Sequence, residues 1–149
     1  NYIQYLQRHI KQTYSLLSHN QRKNMNTTLN KIASVLAFLV GGLSIFAGAL
    51  AMTGWEPGYF VLNWLPVYNF TLGMLTVLIP AILIWKNSKY AMPAAIATFS
   101  IHATVTLLLL TVFRDTVAAN SIGAMIFRLV TWLIILALMI VQSRRQATK

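Results

Sequence analysis

Two ionisable residues lie deep inside otherwise apolar runs of this sequence, His102 and Arg128. Burying a charge in hydrocarbon is costly, so such groups persist where they have a partner or a purpose. An imidazole changes charge near neutral pH, which makes His102 a candidate proton relay or ligand contact. Arg128 lies about seven residues inside its run, roughly 10 Å deep at ~1.5 Å of rise per residue. At helical spacing, Thr98 and Thr106 flank His102, while Ser121, Ala124 and Thr131 flank Arg128. An earlier run offers a comparable face in Asn69, Gly73, Thr76 and Pro80. Turned inward, these three faces would line one polar pocket, with His102 near its floor, Arg128 on its wall, and Asn69 and Thr76 orienting a ligand. Tyr68 is a further candidate, although its ring also suits an interfacial anchor.

Each candidate has a structural alternative. The only acids in the chain, Glu56 and Asp115, fall at the expected outer mouth beside Arg114. Either could pair there or reach down to Arg128 while the guanidinium snorkels up. His102 could equally be a neutral ring hydrogen-bonded to a threonine or a carbonyl. A haem would need two axial ligands. His9 and His19 lie in the polar N-terminal stretch, so only a dimer presenting His102 twice could supply both. Cysteine is absent, which removes disulfides, thiol chemistry and cysteine-based metal sites, and no His-Glu-x-x-His or other metal-ligand spacing occurs. Phosphate loops, nucleophile elbows and paired carboxylates within a span are also missing. These absences argue against an enzyme and leave haem as the one cofactor to consider.

The elements that must position these residues are apolar helices. Of 149 residues 57% are hydrophobic and 9% charged, and the mean hydropathy is +0.62. A soluble domain could not solvate such a surface. Four runs of about 20 residues, at 32–53, 65–85, 91–113 and 122–141, are each long enough to cross a bilayer. Pro80 should kink the second, and Pro93 opens the third at a tolerated first-turn position. Along the first run Ala33, Ala37, Gly41, Ser44, Gly48 and Ala51 share one face at helical spacing. Such a stripe lets another backbone approach closely, where lipid supplies no hydrophobic drive between helices.

Residues 1–24 place Ile3, Leu6, Ile10, Tyr14 and Leu17 on one side and Arg8, Lys11 and several glutamines elsewhere. This spacing predicts a basic amphipathic helix on the membrane surface or, failing that, a polar tail. The chain opens on Asn, and Met25 offers another possible start. Between the first two runs, Trp55, Tyr59, Trp64 and Tyr68 follow a Pro-Gly turn signal and suit an aromatic belt. Arg8, Lys11, Arg22, Lys23, Lys31, Lys86, Lys89, Arg144, Arg145 and Lys149 would share one side, against Arg114 alone on the other. By charge bias that side is cytoplasmic and holds both termini, which leaves the Asn26-Thr27-Thr28 sequon on the wrong face for glycosylation. The formal charge of +10 then reflects topology and anionic-lipid contact, with no base-stacking platform to suggest nucleic acid.

The first run lacks the embedded Glu of small multidrug exporters. The missing cysteines exclude quinone-coupled disulfide formers and claudin-like proteins. The polar helix motif of membrane glutathione transferases is not found. What remains has the general look of a small bacterial inner-membrane protein. The expected architecture is all-α: an integral-membrane antiparallel four-helix bundle at 25–149, preceded by an N-terminal amphipathic interfacial helix at 1–24. The Ala37, Gly41, Ser44, Gly48 and Ala51 face is expected to be a helix-packing face around which the other spans gather. The leading functional expectation is a non-enzymatic accessory or interaction subunit whose apolar helices dock on a membrane-protein partner or its own copy, with that stripe and the basic amphipathic arm as the features behind it. The alternative is a small-ligand binder or proton-linked transporter using a polar outer-leaflet pocket around His102 and Arg128.

Overall fold

The structure is a computed structural model that describes residues 2–25, 27–56 and 58–147. Asn26 of the sequon, Pro57 of the turn signal, Lys149, and the side chains of His19, Arg22 and Lys23 lie outside the described residues. The described residues are all-helical: α1 (Tyr2–Met25), α2 (Thr28–Met52), α3 (Leu65–Trp85), α4 (Ala91–Thr111) and α5 (Ala119–Ala147). The last four are long and apolar enough to cross a membrane.

The helices do not stop where the apolar runs stop. Helix α2 begins at Thr28, a polar turn ahead of the expected position 32. Helix α5 takes in Asn120 and Ser121, ahead of the expected position 122, and runs on past 141 through Arg144 and Arg145. Cations in a last turn suit the carbonyl end of a helix, so nothing in that turn opposes its extension.

Within α3, Pro66 occupies the first turn, where a missing N–H costs nothing. Pro80 falls inside the helix and deprives the carbonyl four residues earlier of its donor. The backbone answers with a π turn over Val77–Ala81. Ser34 Oγ donates to Ala81 O at 2.6 Å, tying α2 to this irregular turn.

Helices α2 and α3 meet backbone to backbone. A Cβ added at Gly48 would stand 2.6 Å from Phe70 N and 2.7 Å from Pro66 O, and one at Gly73 would stand 2.7 Å from Gly41 O. One at Gly41 would stand 2.8 Å from Val77 Cγ2. No side chain fits at these three positions. On α2, Ala33, Ser34, Ala37, Val40, Gly41, Ser44 and Gly48 are buried, and Ala51 is half-buried. Helix α2 also touches α5, while α4 packs on α5 and on the second half of α3.

The interior has two apolar clusters. One gathers Ala33, Ala37, Ala81, Ile84, Ala95, Trp132 and Ile135; the other gathers Leu62, Leu65, Leu109 and Met125. Buried polar residues fall between them: Thr98, His102 and Thr106 along α4, and Arg128 and Thr131 along α5. Large apolar side chains such as Phe38, Leu78, Ile82, Leu107, Phe127 and Leu133 face outward. An apolar exterior around a polar middle layer is the arrangement lipid demands.

Candidate functional site

Consecutive residues of α3 organise the polar layer. Each helical residue is rotated by about 100° from the last, so Tyr68 and Asn69 address different neighbours. The Tyr68 hydroxyl and His102 Nδ1 are hydrogen-bonded at 2.8 Å, with the rings edge-on at 6.0 Å. Tyr68 also meets Trp64 edge-on, and Trp64 packs on Phe113. The tyrosine expected as an interfacial anchor is therefore the imidazole's partner. The threonines serve their own helix: Thr98 Oγ1 donates to Ala94 O at 2.9 Å and Thr106 Oγ1 to His102 O at 2.7 Å.

Asn69 turns instead toward α5. Arg128 Nη1 donates to Asn69 Oδ1 at 2.6 Å and lies 3.3 Å from Met125 Sδ. Arg128 is 8% exposed. Among the described residues its hydrogen-bond partners are these two neutral groups, while Glu56, Arg114 and Asp115 are exposed. The expected acid-to-Arg128 bridge is not part of the structure.

Arg128 and Asn69 border a cavity of about 310 Å³ between α2, α3, α5 and the connection after α2. Its other walls are apolar or aromatic, with Phe46, Leu50, Trp55, Tyr59 and Leu65, and Ser121 adds a hydroxyl. An adjoining hollow of about 720 Å³ under the connection shares Trp55, Tyr59, Val61 and Pro66 and reaches Glu56. His102, Tyr68 and Thr98 are not on the cavity wall, and Thr76 packs against Gly41 of α2. The single pocket expected from sequence is thus two separate features, an open guanidinium site and a closed phenol–imidazole pair.

No protein-family model matches the chain, and neither curated proteins nor solved structures yield a match. The site must therefore be read from its own chemistry.

Nη1 is the engaged corner of the Arg128 guanidinium; its other N–H groups are donors for a ligand. No group of three or more His, Asp or Glu that could hold a metal occurs among the described residues. Haem ligation by paired copies does not fit His102, which is 3% exposed beneath its own helices and bonded to Tyr68. Sequence reasoning missed Met125, whose one signal was its place three residues before Arg128 on the same helix face.

Proposed function

We propose that this is a small multi-pass membrane protein that binds a small amphiphilic anion, its charged group on Arg128 and its apolar body along Phe46, Leu50 and Leu65. One observation carries the reading: a buried guanidinium borders a cavity and is held by neutral partners. An uncompensated charge at this depth is unfavourable, and an anion is the missing complement. Guanidinium N–H groups match a carboxylate in fork geometry, and the cavity is within the size range of small-ligand sites.

The framework we infer is an antiparallel four-span bundle over 25–149 in a bacterial inner membrane, both termini cytoplasmic. The cationic residues Lys31, Lys86, Lys89, Arg144 and Arg145 at one set of helix ends support that orientation. Residues 1–24 we read as an amphipathic surface helix: Leu6, Ile10, Tyr14 and Leu17 are exposed on α1, a face that suits the headgroup boundary. No catalysis is proposed.

The accessory-subunit reading loses one of its supports, because the small-residue face of α2 is taken up by α3 at Gly41 and Gly48. It keeps the apolar face of α1 as a docking surface for a partner or a second copy.

The test is ligand-dependent melting in neutral detergent, with octanoate against octanol. Octanoate should raise the melting temperature saturably in the wild type and have no effect on Arg128→Met, while octanol has no effect on either. Equal effects of the acid and the alcohol, or an unchanged response in Arg128→Met, would overturn the reading.

A further inference from the structure

A second polar hollow lies at the opposite ends of the helices. Where α2 begins, α3 gives way to its loop, α4 begins and α5 nears its end, Asn30, Asn87, Ser88, Lys89, Met92 and Gln142 border a space of about 250 Å³. Gln142 is fourteen residues beyond Arg128 on α5, about 21 Å along the axis, so the two sites are separate.

Gln142 is 2% exposed, and its Nε2 is buried with no partner among the described residues. Asn30 Oδ1 is likewise buried and unpartnered, while its Nδ2 is bonded to Asn87 Oδ1. The wall therefore offers a buried donor and a buried acceptor, and a buried polar group without a partner is unfavourable until something fills the space.

The surroundings select the charge of that occupant. Lys89 stands on the rim. The first turn of α4 contributes Met92 and has no acidic residue. Tyr90 N donates to Ser88 Oγ, Ala91 N donates to Ser88 O, and Pro93 has no N–H, which leaves Met92 N as the donor of this turn. The N-terminal end of a helix favours an anion. Both acids of the chain lie elsewhere: Glu56 follows α2, and Asp115 stands between α4 and α5. Tyr90, whose ring centre is 5.1 Å from Lys89 Nζ, is an exposed amphipathic aromatic and belongs at headgroup level.

We propose that this hollow binds a phosphate ester carrying a free hydroxyl, the phosphate oxygens meeting Gln142 Nε2, Lys89 and the start of α4, and the hydroxyl donating to Asn30 Oδ1. A glycerol-bearing phospholipid headgroup and a soluble phosphate ester share this chemistry.

Native mass spectrometry of the full chain, released from discs of dioleoyl phosphatidylcholine containing dioleoyl phosphatidylglycerol, tests the proposal. The wild type should retain one phosphatidylglycerol in preference to phosphatidylcholine. Gln142→Leu should lose that preference by about tenfold without a fall in melting temperature, since an apolar group of similar shape removes the orphan donor. Lys89→Met should weaken retention several-fold at an exposed position that cannot unfold the chain, and it carries the test if Gln142→Leu does not fold. Adding glycerol 3-phosphate separates the sources. Displacement of the lipid assigns the hollow to the phosphate ester as such, whereas an undisturbed lipid assigns it to the membrane-embedded form. Arg128→Met should retain phosphatidylglycerol normally, so loss of octanoate binding and loss of lipid retention report on different sites. Equal retention of both lipids together with no response to glycerol 3-phosphate would mean that water alone fills the hollow, and retention unchanged in Gln142→Leu and Lys89→Met would equally overturn the proposal.

Discussion

At the residue scale, Arg128 is a charge kept where an apolar side chain would be easier to bury. Replacing a buried charge by a hydrophobe of similar size is often neutral or stabilising, whereas removing the neutral acceptor of a buried charge costs about 1.5–3 kcal/mol. Arg128→Met should therefore unfold no more readily than the wild type, while Asn69→Leu, which takes away the acceptor 2.6 Å from Nη1, should be destabilised by about 2 kcal/mol. In the double variant that penalty should vanish, as equilibrium unfolding in mixed detergent would show. Tyr68→Phe removes the hydrogen bond to His102 Nδ1 and should cost about 1 kcal/mol, typical of interhelical bonds in membranes. His102 and Arg128 stood out in the sequence because charge-capable residues are rare in apolar runs. Tyr68 and Asn69 were also candidates, but their pairing with His102 and Arg128 was not legible, since a tyrosine near a span end also fits an interfacial belt, and spacing along one helix cannot say which neighbour it faces.

At the scale of elements, the contact of α2 with α3 governs how closely the helices pack. Gly48 faces the backbone of Phe70, while nothing lies within 4 Å of a Cβ built on Gly42. Gly48→Ala should cost about 1–3 kcal/mol by overpacking, and Gly42→Ala should fall on the stabilising side by up to about 1 kcal/mol through helix propensity. A reversal of that order in thermal or denaturant unfolding would contradict the packing described. Four long apolar helices were legible from run length alone, because hydrocarbon thickness sets a minimum that few other segments reach. The ends were less legible: Thr28 and Asn120 are helical yet polar, and hydropathy marks the edge of lipid and not the last helical turn. Pro80 announced an irregularity, but the π turn and its tie to Ser34 depend on α2 lying alongside.

At the scale of the whole molecule, an apolar exterior and a polar middle layer describe a protein whose solvent is lipid. The orientation proposed from its charges is open to direct labelling, and with no native cysteine the background is nil. Lys86→Cys and Thr116→Cys occupy exposed positions in different connections. A membrane-impermeant maleimide should label the Thr116→Cys variant on intact cells and the Lys86→Cys variant after lysis. The opposite pattern would invert the topology and put the Arg128 cavity on the cytoplasmic side. The central claim, that the cavity awaits an anion, is tested most directly by equilibrium dialysis of labelled octanoate against wild-type and Arg128→Met protein in neutral lipid discs. One saturable site per chain in the wild type, absent from the variant, is the predicted result; identical, non-saturating uptake by both would contradict it.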